Sequence, residues 1–515
     1  MIANNGFKAV APRLRKFLDG RRYLVSAGLG LLVAPLISLG RTPQPWAPQA
    51  GRHSSSGRVL TARDITYLGA VRMPNGVDTN YAYGGMTGRM VNGHVRLFIY
   101  GTHVGSGVID GVYEIEDPGS GYSANIGTAP QASLITNWGD VYHGKRMSWD
   151  ASGNPFNVSY VSPASLAWND ATQLLYWTYF HSYNVSHEPD WGLGATSLDN
   201  PTTGASTSYG PWRTVATDGD GRKFYGPWRC LYPFTNPMDG SMLCGSTTQS
   251  GNSGSPFGPD AYGGRAWPTK TSPGGFSAPD IPLPDRFLEY YFMGDPTAPN
   301  HIGQDGRVQG HLRSFRRTTE QALYENQGLR ANPALNNGVG SWAENDGTSG
   351  AIWLELDHTR GVIFSALLAG AVSQDPTDCV NAAHEWYTNA AVNPPIGACS
   401  HGCRPPSWAP TGPVTTKSFP AFIIYNPDDL LAVKAGAKTD YTVDPTSTID
   451  LIQTYDVTTA LQSRQGAARS LTGFYFDPVR KYLFTVSVQA DESAGRYFVQ
   501  SLIHVFAIKD TPTGS

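Results

Sequence analysis

One arrangement of apolar and polar positions recurs along the chain: an apolar residue, Asp or Asn, five residues, then two apolar residues. It occurs at Val91-Asn92 with Phe98-Ile99 and at Trp168-Asn169 with Leu175-Tyr176. It occurs again at Leu356-Asp357 with Ile363-Phe364 and at Phe476-Asp477 with Leu483-Phe484. Asp and Asn side chains bond the backbone two residues on and so favour tight turns, and the flanking runs are rich in strand-forming residues. The pattern therefore predicts a β-hairpin at each place. A second arrangement closes a strand on an acidic or amide residue beside proline, as in Tyr113–Pro118, Leu198–Pro201, Phe292–Pro296 and Ile424–Pro427. The implied unit is strand, hairpin, strand, loop, strand, turn. Its final copy, Leu471 to Ile508, reads as strands Leu471–Phe476, Leu483–Val488 and Leu502–Ile508.

Such a unit repeated at irregular spacing predicts an all-β fold, a seven-bladed β-propeller with long loops on one face. A sandwich of this length would be unusually large, and a β-helix would show a shorter period. A short helix is expected at Asp428–Ala435, where two acidic residues precede Leu430-Leu431-Ala432-Val433 and Gly436 can end the turn. Composition agrees: of 515 residues, 58 are Gly and 38 Pro, and only 15% are charged, as many short strands joined by many turns require. A formal net charge of −3 supplies no global basic field for nucleic acid.

The N-terminus reads as a targeting segment, so the protein is expected to be exported, to the periplasm, the cell surface or the medium. Lys8, Arg13, Arg15, Lys16, Arg21 and Arg22 precede an uncharged, mostly apolar stretch from Tyr23 to Leu39. Ser38 and Gly40 are spaced for cleavage after Gly40. Arg21-Arg22-Tyr23-Leu24 resembles a twin-arginine signal. The alternative for residues 1–40 is an uncleaved anchor, which would be the chain's only membrane contact. Residues 41–59, rich in Pro, Gly and Ser, read as a linker, and 60–510 as a single propeller domain.

Three groups of residues carry candidate chemistry. Cys379, His384, Cys399, His401 and Cys403 gather soft ligands in a Gly/Pro-rich stretch that a structural zinc would order. The competing reading is a disulfide from Cys379 to Cys399 or Cys403, natural in an exported chain, and Cys230 with Cys244 suggests another. His103, His143, Tyr179 and His181 lie near strand ends, where propeller loops converge on ligands. Tyr179 and His181 share a face if their strand runs that far. A duplicated pentapeptide, Tyr209-Gly-Pro-Trp212-Arg213 and Tyr225-Gly-Pro-Trp228-Arg229, offers aromatic faces for sugar rings and guanidinium groups for carboxylate or sulfate. The structural alternatives are hydrogen bonds between blades for the first set and a packed turn for the second. No phosphate-binding Gly loop, nucleophile elbow or His-Glu-x-x-His stretch is present.

Ile65–Pro74, Tyr83-Gly84-Gly85, Arg96–His103 and Phe422–Gly436 resemble a group of exported bacterial propeller proteins of unassigned activity. In architecture the chain is also distantly similar to propeller polysaccharide lyases, ulvan lyases among them. That similarity is one of fold and names no reaction; the candidate His, Tyr and Arg residues themselves suggest an acidic-polysaccharide ligand and, if the chain is an enzyme, β-elimination. Arg would neutralise a uronate carboxylate, and His and Tyr would act as base and acid. A non-catalytic ligand- or protein-binding propeller at the cell surface is the alternative.

Overall fold

The computed structural model describes residues 57–79, 85–101, 111–145, 161–181, 192–217, 223–225, 230–246, 259–275, 277–288, 347–369, 372–373, 414–415, 418–438, 443–451, 471–491 and 500–512. Two strands open it, β1 (Arg58–Val59) and β2 (Ile65–Arg72). Blade I follows as β3 (Met86–Val91), β4 (His94–Tyr100), β5 (Val112–Glu116) and β6 (Ser133–Gly139). Blade II is β7 (Val161–Asn169), β8 (Leu174–His181), β9 (Leu193–Asn200) and β10 (Ala205–Trp212). A side hairpin of β11 (Thr214–Thr217) and β12 (Lys223–Tyr225) precedes blade III. That blade consists of β13 (Tyr232–Thr235), β14 (Met242–Gly245), β15 (Ala261–Arg265) and, after β16 (Ile281–Leu283), β17 (Asp285–Leu288). Blade IV holds β18 (Gly347–Glu355), β19 (Thr359–Ala369) and, past the short pair β20 (Val372–Ser373) and β21 (Val414–Thr415), β22 (Ser418–Tyr425). Helix α1 (Pro427–Lys434) leads to its outer strand β23 (Ser447–Asp450). Blade V is β24 (Leu471–Asp477), β25 (Tyr482–Asp491) and β26 (Gln500–Ile508).

Each blade is an antiparallel sheet whose strands pair in sequence order. Blade V borrows its outer strand from the start of the chain: β2 pairs antiparallel with β26, Ile65 opposite Ile508 and Arg72 opposite Leu502. The innermost strands form a ring, each touching the next in the order β3, β7, β13, β18, β24 and back to β3. Among the described residues the ring therefore closes with five blades, not the seven expected. The β11–β12–β16 sheet stands outside the five blades, and sequence spacing alone counts its strands as blade strands.

Burial on both faces explains why the strands read as nearly continuous apolar runs. Successive residues of β22 alternate between two cores. Ala421, Ile423 and Tyr425 pack toward blade III, and Phe422 and Ile424 toward blade V. Equivalent layers fill the gaps between blades II and III, V and I, and I and II. Each fully buried Leu, Ile or Phe contributes about 1.5–3 kcal/mol, so the interfaces between blades hold the ring shut.

The recurring Asp/Asn pattern marks the hairpin between the first two strands of a blade. Asn169 Oδ1 accepts from the backbone of Ala171 and Thr172, both at 3.0 Å. Asp477 Oδ1 accepts from Val479 N at 2.8 Å. Asn92 and Gly93 take φ of 52° and 83°, the two left-handed positions of a two-residue hairpin turn. Blade III has the same device, Asn236 Oδ1 accepting from Met238 N at 3.0 Å, although Thr235 replaces the apolar residue before it. The proline-flanked signals at Tyr113–Pro118, Leu198–Pro201 and Ile424–Pro427 mark turns at the same end, and the fourth, Phe292–Pro296, lies outside the described residues. Asp117 accepts from Arg480 Nη1 at 2.9 Å and so joins blade I to the blade V hairpin. The predicted helix is present, capped by Asn426 through Asp428 N.

The two ends of the ring thus differ. At the hairpin end the first and second strands of each blade meet in short turns. At the opposite, crossover end, one blade hands over to the next. No described helix is long and apolar enough to cross a membrane.

Candidate functional site

Near the crossover end, the inner strands of four blades approach one another closely. Three inner strands carry bulges at one level: β7 between Pro163 and Ser165, β18 between Thr348 and Gly350, and β24 between Thr472 and Tyr475. These turn small residues inward. A Cβ on Gly350 would stand 2.8 Å from Gly473 N, and one on Gly85 would stand 2.8 Å from Ser165 Oγ.

Two buried polar frames stiffen the crossover end. In the first, Tyr232 at the start of β13 donates its hydroxyl to Ser246 O at 2.9 Å and meets Thr348 Oγ1, on the next blade, at 2.7 Å. Asp260, wholly buried, accepts from Ser246 N at 2.6 Å and Ser246 Oγ at 2.8 Å. Burial, and after it the Asp260 charge, holds the Tyr232 phenol well above its ordinary range. A disulfide between Cys230 and Cys244 ties the foot of β13 to β14, as the sequence suggested. In the second frame, Arg72 Nε donates to buried Asp491 at 2.9 Å. Gln500 Oε1 accepts from Thr79 N and Oγ1 at 2.7 and 2.8 Å. Sequence reasoning passed over Asp260 and Asp491, because a single carboxylate outside any spacing pattern carries no signal.

The residues singled out from the sequence do not form one cluster among the described residues. Tyr179 is buried between blades I and II, its ring 5.9 Å from that of Trp177, so its hydroxyphenyl belongs to the core. His181 is the last residue of β8, two positions further on the same strand. His143 is exposed at φ 47°, on the outer edge of blade II, with Nε2 2.9 Å from Ser206 Oγ.

The first copy of the pentapeptide is a clamp. Half-buried Tyr209 sits 3.4 Å from Ser197 Oγ. Fully buried Trp212 donates to Pro273 O at 2.8 Å, and Arg213 Nε donates to Asp280 at 2.5 Å. Gly275 N donates to Pro211 O at 2.9 Å and Ile281 N to Arg213 O at 2.8 Å. All four contacts hold segment 273–281 against blade II, which gives this copy's Trp and Arg to structure. In the second copy Tyr225 ends β12, paired with Val215. His103, Trp228, Arg229, Cys379, His384, Cys399, His401 and Cys403 lie outside the described residues, as does the N-terminal segment. The described residues contain no group of three or more His, Cys, Asp or Glu arranged to hold a metal.

No family model matches the chain. No curated protein matches it. Among solved structures it is similar to the PQQ-bound aldose sugar dehydrogenase of Streptomyces coelicolor, at 9% identity over 86% of this chain and 98% of that one, with a TM-score of 0.32. It is similar to a GH43 endo-arabinanase from Bacillus licheniformis at 10% identity, over 83% and 96% of the two chains, with a TM-score of 0.28. A duf4221 family member from Bacteroides vulgatus matches at 8% identity over 88% and 100%, with a TM-score of 0.28. Likeness at this level identifies no family.

Proposed function

We propose that the protein is an exported propeller that binds an acidic polysaccharide at its crossover end and cleaves it by β-elimination. What supports the reading is connectivity. Residues 101–111 leave β4, 182–192 leave β8, 226–231 lead into β13 and 246–260 leave β14, all at this end of three neighbouring blades. These stretches, with the final residue of β8, carry His103, His181, Trp228 and Arg229. The hairpins at the other end are short. The two buried frames and the disulfide give the connections fixed feet, the support a precise binding surface needs.

In the reaction, Arg229 pairs with the uronate carboxylate and so acidifies the C5 proton. One of His103 and His181 removes that proton, the C4–O bond breaks as the C4–C5 double bond forms, and the other histidine protonates the departing oxygen. Tyr179 and Arg213, committed to the core and to Asp280, are left to supporting roles. The test is the ultraviolet absorbance of the unsaturated product while the full chain is offered pectate, alginate, ulvan and glycosaminoglycans. A rise with one polymer, reduced about 10²–10⁴-fold in His181→Ala and Arg229→Ala, is the expected result. A flat trace with every polymer, or full activity in both variants, would overturn the proposal. Binding without cleavage would leave a non-catalytic module.

A further inference from the structure

At the hairpin end, inner strands from three blades bring a different set of side chains to the axis. On β3, Arg89 donates from Nε and Nη2 to Glu114 Oε1 at 3.0 and 2.7 Å. Glu114 is wholly buried, and its other oxygen accepts from Trp138 Nε1 at 3.1 Å. The guanidinium so held lies 5.0 Å over the ring of Trp168. Trp168, near the end of β7, is fixed by its own N–H on Thr87 Oγ1 at 2.9 Å and by Nε1 on Asp170 Oδ1 at 2.7 Å. From β24 the bulge at Gly473 sets Tyr475 over Gly88, where a Cβ would meet its ring at 2.7 Å.

The Tyr475 hydroxyl, Asp170 Oδ2 and Arg89 Nη1 bond no described residue, though each belongs to a side chain that is otherwise anchored. Asp170 is exposed, and Tyr475, Trp168 and Arg89 are half-buried. Burial first, then the carboxylates of Asp477 and Asp170, holds the Tyr475 phenol above its usual range, so it presents a hydroxyl and not a charge.

The charge pattern narrows the ligand. A cation meets the fixed guanidinium of Arg89, which lies over Trp168 and already acts on the Asp170 carboxylate. An anion meets the Asp170 carboxylate beside Tyr475, while the Arg480 guanidinium there is already engaged by Asp477 and Asp117. What remains is an uncharged ligand with hydroxyls to donate to a carboxylate, hydroxyls to accept from a guanidinium, and a flat carbon face for an aromatic ring. We propose that this mouth binds one sugar ring of a neutral glycan, stacked beside Tyr475 and hydrogen-bonded by Asp170, Arg89 and the Tyr475 hydroxyl.

The site lies at the hairpin end, opposite the connections assigned to elimination, so it stands or falls independently of that reaction. Neutral sugars cannot yield an unsaturated uronate and report on this mouth alone. Calorimetric titration of the full chain with xylo-, cello-, manno-, galacto- and arabino-oligosaccharides should find one that saturates with a Kd of about 1 mM or tighter. Asp170→Asn should weaken it about tenfold or more and Tyr475→Phe about fivefold, since each removes one hydrogen-bonding role while keeping shape. Val479→Ala, at the 79% exposed tip of the β24–β25 turn, should leave it unchanged. Thermal unfolding of each variant separates lost binding from lost structure. Failure of every neutral oligosaccharide to saturate, tighter binding of a uronate or amino-sugar oligomer, or unchanged affinity in both folded variants would each overturn the assignment.

Discussion

Replacing Gly473 by Ala tests the close backbone approach of β24 to β3. Gly473 takes φ 63° in the bulge of β24, and a Cβ there would stand 2.0 Å from Met86 N and 2.3 Å from Met86 O. Those atoms belong to β3, whose Met86 is paired with Ile99, so they cannot swing aside as the end of a long side chain can. The left-handed conformation costs an L-residue about 1–2 kcal/mol, and forcing a methyl into a packed site about 1–3 kcal/mol more. The expected loss is therefore about 2–5 kcal/mol, a large share of the roughly 5–15 kcal/mol that a folded domain commands. Gly93→Ala is the control. It shares a positive φ of 83° but has nothing within 4 Å of the added carbon, so it should lose only about 1–2 kcal/mol. Urea unfolding followed by tryptophan fluorescence reads both, with a common slope giving the difference from the midpoints. Equal losses in the two variants would refute the argument, because the close approach of β24 to β3 would then carry no energetic weight.

Two further outcomes follow from buried groups. His504, wholly buried with Nδ1 3.0 Å from the Tyr67 hydroxyl and Nε2 2.7 Å from Ser487 Oγ, has its pKa pushed down to about 3 by burial. The unfolded imidazole takes a proton near pH 6.5 and the folded one only near pH 3. Stability is therefore fully present above pH 6.5 and is lost as pH falls through that window, by about 2 kcal/mol at pH 5. Urea midpoints from pH 7 to 5 should slope less in His504→Gln, and an identical slope would remove His504 from the account. Replacing both Cys230 and Cys244 by Ser opens a link spanning 14 residues and should cost about 3 kcal/mol by the same unfolding assay. Thiol labelling that finds both cysteines free in the unreduced native chain would contradict the bond.

The hairpins of blades II and V were legible because Asn169 and Asp477 act locally, each capping an amide two residues on, whereas the blade IV hairpin amides are held by distant Asp510. Asn236 escaped notice only because Thr235 breaks the apolar half of the pattern. Blade number was not legible, since the β11–β12 hairpin has the composition of blade strands and only its pairing with β16 sets it outside the ring. Trp212 and Arg213 read as well for a ligand as for a clamp, because the same indole and guanidinium that recognise a glycan recognise Pro273 O and Asp280. The hairpin-end mouth left no mark in the sequence. Arg89, Trp168 and Tyr475 are far apart along the chain and meet only where three blades converge on the axis.

The partnership of β2 with β26 sets an order on biosynthesis. Ile65 is among the first blade residues to be translated, and its ladder partner, Ile508, is among the last. Until β26 emerges, β2 carries a row of unpaired amides and carbonyls, an edge on which a neighbouring nascent chain can template. Contacts of such sequence separation also slow the final step of folding. A chain that stops short of Gln500 deprives both β2 and β25 of their shared neighbour and leaves blade V as two open-edged fragments. Premature termination late in the chain should therefore yield aggregate and not a smaller ring, whereas a tag appended after Ser515 leaves the closing ladder intact.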